Sequence, residues 1–82
     1  MTSRVTLYSK PGCHLCEDVR AVLDEIQPTH RFAIDEIDIT RDDELFAQYR
    51  YEIPVLLLDG EEVGRGALTE RDVLKAFEDR EG

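Results

Sequence analysis

The run Tyr8-Ser9-Lys10-Pro11-Gly12-Cys13-His14-Leu15-Cys16 holds both cysteines of the chain, three residues apart. To its left lies a strand: Val5 and Leu7 alternate with Thr6 and Tyr8 until Lys10-Pro11-Gly12 stops the alternation. To its right a helix opens. From Cys13 onward Leu15, Cys16, Val19, Val22, Leu23 and Ile26 share one helical stripe, which Pro28 is expected to end. A Cys-x-x-Cys pair at a strand–turn–helix junction is where a redox dithiol would sit.

Working outward, a second strand is expected within Arg31 to Ile39. Its apolar phase shifts from Phe32/Ile34 to Ile37/Ile39, which calls for a bulge or for burial on both sides. Thr40 with Asp43 resembles a capping box for a short helix with Leu45, Phe46 and Tyr49 on its inner face. Val55-Leu56-Leu57-Leu58 suits a central strand, and Asp59-Gly60 signals a hairpin into Glu61 to Arg65. Thr69 with Asp72 is a second capping box, followed by Val73, Leu74 and Phe77 on one helical face. The order is βαβ, a short helix, then ββα. It implies one parallel crossover and one antiparallel hairpin in a four-stranded mixed sheet flanked by helices. The expectation is a single α/β domain of thioredoxin-like fold over residues 1–82, with no repeat or linker.

Composition narrows the function. At 82 residues the chain makes one small domain with a modest core. No apolar run is long enough to span a bilayer, and the first residues lack the apolar core of a secretory leader, so a reducing cytoplasm is the expected compartment. Ten basic residues stand against 19 acidic ones, a net charge of −9. Such a surface repels nucleic acid and anionic lipid and favours a basic patch on a partner protein. Two cysteines are too few for a secreted disulfide framework. A monomer is expected.

The helix start sets the chemistry. Free N–H groups and the macrodipole stabilise an anion there, so the Cys13 thiolate forms more readily than that of an ordinary thiol. Cys13 is read as the nucleophile and Cys16, one turn further in, as the resolving thiol. Lys10 and a protonated His14 would add to the stabilisation, and His14-Leu15 between the thiols tunes the pair. A zinc site would want four ligands, and His30, taken as an isolated loop residue, has no histidine partner at finger spacing, so no metal site is expected. Pro54 precedes a buried run, where either a trans strand-start proline or a cis proline facing the thiols fits.

These residues resemble the glutaredoxins along nearly the full chain, most closely the short bacterial glutaredoxin-like proteins. In that family the lysine three residues before the first cysteine helps bind a glutathione carboxylate, a role the resemblance gives to Lys10. Ile53-Pro54 is similar to the family's Val-Pro segment, which implies a cis Pro54 and a backbone at Ile53 that pairs with bound peptide or glutathione. The chain departs by carrying His14-Leu15 in place of Pro-Tyr. It also carries Val63-Gly64-Arg65-Gly66-Ala67-Leu68-Thr69-Glu70 where a Gly-Gly with following acids binds the other end of glutathione. Arg65 would offer a local cation in that stretch, which looks more like the thioredoxin C-terminal half. The resemblance implies a dithiol–disulfide oxidoreductase, with no bound cofactor expected. The departures at Gly64 to Glu70 and the net charge of −9 favour protein disulfides over glutathione as its substrates. Glutathione or a flavin-dependent thioredoxin reductase would be its electron donor. An iron–sulfur or zinc carrier, or a non-catalytic interaction module, are the other roles this fold allows.

Overall fold

Strand β1 (Ser3–Ser9) is built on alternation: Val5, Leu7 and Ser9 are buried, while the residues between them are not. The computed structural model describes residues 3–81. The strand is an inner member of a four-stranded sheet of order β2-β1-β3-β4. β2 (Phe32–Asp38) runs parallel to it, in register from Ser3 opposite Phe32 to Ser9 opposite Asp38. β3 (Val55–Leu58) is antiparallel on the other side, with Leu7 opposite Leu56 and Tyr8 opposite Val55. β4 (Glu61–Arg65) returns from β3 through Asp59-Gly60, both at positive φ, the mirror-image turn that matches strand twist. Among the described residues three α-helices complete the fold: α1 (His14–His30), α2 (Asp43–Tyr49) and α3 (Glu70–Glu81). The expected βαβ and ββα order and the mixed sheet are borne out.

Two faces of the sheet are covered. On one, Val5, Leu7, Leu56, Leu58 and Phe32 meet Val19, Leu23 and Ile26 of α1 and Val73 and Phe77 of α3. Each such aliphatic side chain contributes about 1.5–3 kcal/mol on full burial. On the other face Tyr8 stacks on Tyr49 of α2, with ring centroids 4.9 Å apart. Val55, opposite Tyr8, is fully buried there.

Three expectations are corrected and one open alternative is decided. α1 does not stop at Pro28 but stays helical to His30, where Arg31 N–H donates to the Gln27 carbonyl at 2.8 Å and the His30 ring lies against Phe77 at 5.4 Å. A proline removes one hydrogen bond, and these last-turn contacts offset the loss. His30 is thus a half-buried helix residue, not a loop residue. Of the two alternatives for β2, a bulge or burial on both sides, the second holds: its register with β1 is unbroken, and its half-buried residues fall on both faces. The bulge lies between β3 and β4, where Leu56 faces Gly64 but Leu57 faces Glu62. Lastly, Thr40 and Asp43 do not cap α2. Asp42 does, accepting from Glu44 N–H and Leu45 N–H, while Thr40 belongs to a short 3₁₀ turn (Ile39–Arg41) capped by Asp38. Thr69 and Asp72, by contrast, form the expected reciprocal box, each side chain accepting the other's backbone N–H at 3.0 and 3.2 Å.

Candidate active site

β1 ends at Ser9, and the chain turns through Lys10-Pro11-Gly12, with Gly12 at φ +79, into the first turn of α1. That turn is closed by Cys13 N–H donating to the Lys10 carbonyl at 3.3 Å. Cys13 is the N-cap of α1, and its Sγ accepts the Cys16 N–H at 3.2 Å, the place a capping oxygen usually takes. The sulfur is therefore fixed where the helix field favours a thiolate. Cys13 and Cys16 are joined as a disulfide, their Cα atoms 5.2 Å apart. The two differ in access: Cys13 is half-buried, whereas Cys16 is 2% exposed.

The other expected residues separate by position. Lys10 is exposed and lines an open cleft of about 450 Å³ beside the disulfide, together with Ser9, Cys16, Glu17, Glu36 and Asp38. His14 heads the helix with its side chain 93% exposed, its Nδ1 3.5 Å from a Glu17 carboxylate oxygen. A protonated imidazole there would face that carboxylate, which offsets its effect on Cys13. Pro54 follows a cis peptide bond with Ile53, as the resemblance implies, and is buried; Ile53 is half-buried. Since Tyr8 pairs with Val55, the register carries Ile53-Pro54 to the end of the sheet where β1 delivers the cysteines. Gly66 N–H, donating to the Pro54 carbonyl at 2.7 Å, ties that segment to the end of β4.

Arg65 reaches the same end of the sheet, but its guanidinium is engaged. It donates to both carboxylate oxygens of Glu62 and lies 3.5 Å from Glu52, the residue before Ile53. The hydrogen bond to Glu62 raises the arginine above its usual range and holds the Glu62 carboxyl below its own. Asp38 is also held low, first by the hydrogen bond from the Thr40 hydroxyl and then by Thr40 N–H. Ser9, Glu17, Glu36 and Asp38 line the cleft without having been singled out from sequence. Ser9 donates through its hydroxyl to Glu36 at 2.9 Å, and Arg20 of α1 reaches the other Glu36 oxygen at 3.2 Å. The signal for Ser9 was a polar residue continuing the inward series Val5, Leu7. No group of three or more His, Cys, Asp or Glu residues is placed to hold a metal ion among the described residues.

A family model described as Glutaredoxin-like domain matches residues 4–78. The chain belongs to that family. Among curated proteins, a glutaredoxin-like protein of Dictyostelium discoideum is 31% identical over 61 residues. That match covers 67% of this chain and 56% of the relative, so the chain spans little more than half of that protein's length. Protein Ne2328 of Nitrosomonas europaea, solved by NMR, superposes with a TM-score of 0.77 at 28% identity, covering 94% of this chain and 92% of that one. A mutant thioredoxin from Halobacterium salinarum superposes at 0.69 and 22% identity over 94% of this chain and 73% of that one, a likeness of fold alone. The glutaredoxin-like domain thus carries its Cys13–Cys16 pair on a thioredoxin fold. Among its described residues no helix is long and apolar enough to cross a membrane.

Proposed function

We propose that this glutaredoxin-like domain is a dithiol–disulfide oxidoreductase whose clients are protein disulfides. The observation that carries the reading is the asymmetry of the pair. Cys13 sits at the helix N-cap with its sulfur held by a backbone N–H, and Cys16 is buried one turn behind it. In the reduced protein the Cys13 thiolate attacks a client disulfide, one client sulfur leaves with the electron pair, and a mixed disulfide forms. Cys16 then attacks Cys13 Sγ, releasing the second client thiol and restoring the disulfide. Lys10 and the Ile53 backbone border the client, and His14 modulates Cys13 only within its pairing to Glu17.

Electrons then come from a reductase that handles protein dithiols, in the manner of thioredoxin reductase, in preference to glutathione. Two features support this choice. The Arg65 guanidinium is occupied by Glu62 and Glu52. The backbone N–H groups of Thr69 and Asp72 at the start of α3 are consumed by their own capping box. Lys10 is then the cation left for a glutathione carboxylate, since neither Arg65 nor the Thr69 and Asp72 N–H groups are available as a second anchor. The test offers the oxidised protein glutathione and thioredoxin reductase with its reductant separately, with Cys13→Ser and Cys16→Ser as controls. Exchange lost in the first variant and trapped as a mixed disulfide in the second supports the mechanism. Fast turnover with glutathione that drops in Lys10→Ala or Arg65→Ala would reverse the choice of donor.

A further inference from the structure

Among the described residues Ser9 is both polar and buried, 4% exposed, and the exchange between the two thiols gives it no part. Its surroundings are specific. In the parallel register Glu36 lies opposite Leu7, so Glu36 projects to the same sheet face as Leu7 and Ser9, the face that α1 covers. The Ser9 hydroxyl donates to one Glu36 oxygen at 2.9 Å. Arg20, one turn beyond Cys16 on α1, holds the other at 3.2 Å and is itself anchored by Asp24 at 3.1 Å. Ser9, Glu36 and Cys16 line the same cleft. Cys16 is almost completely shielded from water, and burial disfavours a thiolate. Yet resolution of a mixed disulfide requires Cys16 to lose its proton. Glu36, with its side chain 40% exposed, touches both the buried hydroxyl and solvent.

We propose that Ser9 and Glu36 form a proton exit for the Cys16 thiol during the resolving step, a role that rests on the oxidoreductase reading above. With client disulfide-bonded to Cys13, the Cys16 S–H gives its proton to Ser9 Oγ while the Ser9 hydroxyl proton passes to Glu36. The Cys16 sulfur attacks Cys13 Sγ, the Cys13–client S–S bond breaks, and its electron pair leaves on the client sulfur, which takes a proton from water. Glu36 returns its proton to solvent. The other charged groups at the cleft are placed less well for this. Glu17 on α1 has its side chain 70% exposed and faces His14; Asp38 on β2 accepts from Thr40; Lys10 in the turn is a cation. Arg20 and Asp24 on α1 set the carboxylate in place and take no proton. Ser9 and Glu36 are thus assigned to proton transfer, and Arg20 is a positioning residue.

The experiment uses the reduced full chain and an aromatic disulfide whose thiolate is coloured, followed by stopped flow. One equivalent of colour reports attack by Cys13 and the second reports resolution by Cys16. At about 1 M salt, where the charge at the cleft is screened, the first phase keeps its rate in Ser9→Ala and Glu36→Gln and the second slows about 100-fold, the lower end of what a positioned base contributes. Ser9→Thr, which keeps the hydroxyl, retains the second phase. In wild type that phase is flat between pH 6 and 8, whereas in the two variants it rises with pH as solvent must ionise the thiol. An unfolded variant would lose the first phase as well, so that phase is the internal control. A second phase that is unchanged, or faster, in Glu36→Gln overturns the proton exit while leaving the oxidoreductase reading intact. No coloured first phase in wild type would overturn both.

Discussion

A sulfur that caps a helix differs from one buried a turn behind it, and this difference is measurable at single residues. In the reduced protein Cys13 is expected to react with iodoacetamide at pH 6 at least about tenfold faster than Cys16, read by mass spectrometry of the alkylated peptides. Faster labelling of Cys16 would reverse their roles. His14 is expected to matter little: its ring is solvent-exposed and matched by Glu17, so His14→Ala should change the Cys13 rate by less than about twofold. The cysteine spacing and the turn that carries Lys10 were legible in the sequence, because each signal lies within a few neighbouring positions. The local pattern at Pro54 left cis and trans open, and only the family resemblance pointed to cis. Ser9 with Glu36 was not legible. Their meeting depends on the β1/β2 register, which pairs residues 27 apart and which no local pattern states.

Helices and strands show where local signals were enough and where packing decided. The Thr69–Asp72 box was readable because both halves of its hydrogen-bond exchange lie within one turn. The end of α1 was not, since the apolar stripe stops at Ile26 while His30 is held by Phe77, a contact from the far end of the chain. The cap gives a pH signature. Asp72 is held below its usual carboxyl value, first by the Thr69 N–H and then by the Thr69 hydroxyl. A depressed carboxyl contributes stability that is present above its unfolded value near 3.8 and lost as pH falls through the folded value. Asp72→Asn should therefore lower Tm by a few degrees at pH 7, with the difference closing below about pH 4. A gap that persists in acid would assign the effect to shape, not charge. The β4 bulge makes a second test. A Cβ on Gly64 would stand 2.6 Å from Leu68 Cδ2, so the tip of the Leu68 side chain, which packs against the core, must shift. Gly64→Ala is expected to cost about 1–3 kcal/mol in denaturant unfolding, and clearly less in a Leu68→Ala background. Additive losses would show that the crowding is not felt.

Over the whole molecule, charge governs which disulfides arrive first. The chain carries −9, and the cleft beside the disulfide repeats that sign: Glu17, Glu36 and Asp38 against Lys10, with Arg20 matched to Glu36. Arg65, at the far side of the site, adds little outward field because it is paired with Glu62 and Glu52. Fields of this kind change encounter rates by about 10–10³-fold and are screened by salt. A small dicationic disulfide such as cystamine should therefore react with reduced Cys13 about tenfold faster than oxidised glutathione at about 0.01 M salt, where the screening length is about 30 Å. At about 1 M salt, where it is about 3 Å, the two rate constants should converge to the ratio set by the disulfides' own reactivity. Glu17→Gln should shrink the low-salt preference without touching the high-salt values, since its carboxylate is exposed at the cleft and holds no part of the fold. A preference for glutathione at low salt would mean that Lys10 and its neighbours form a local anion site strong enough to outweigh the molecule's net charge.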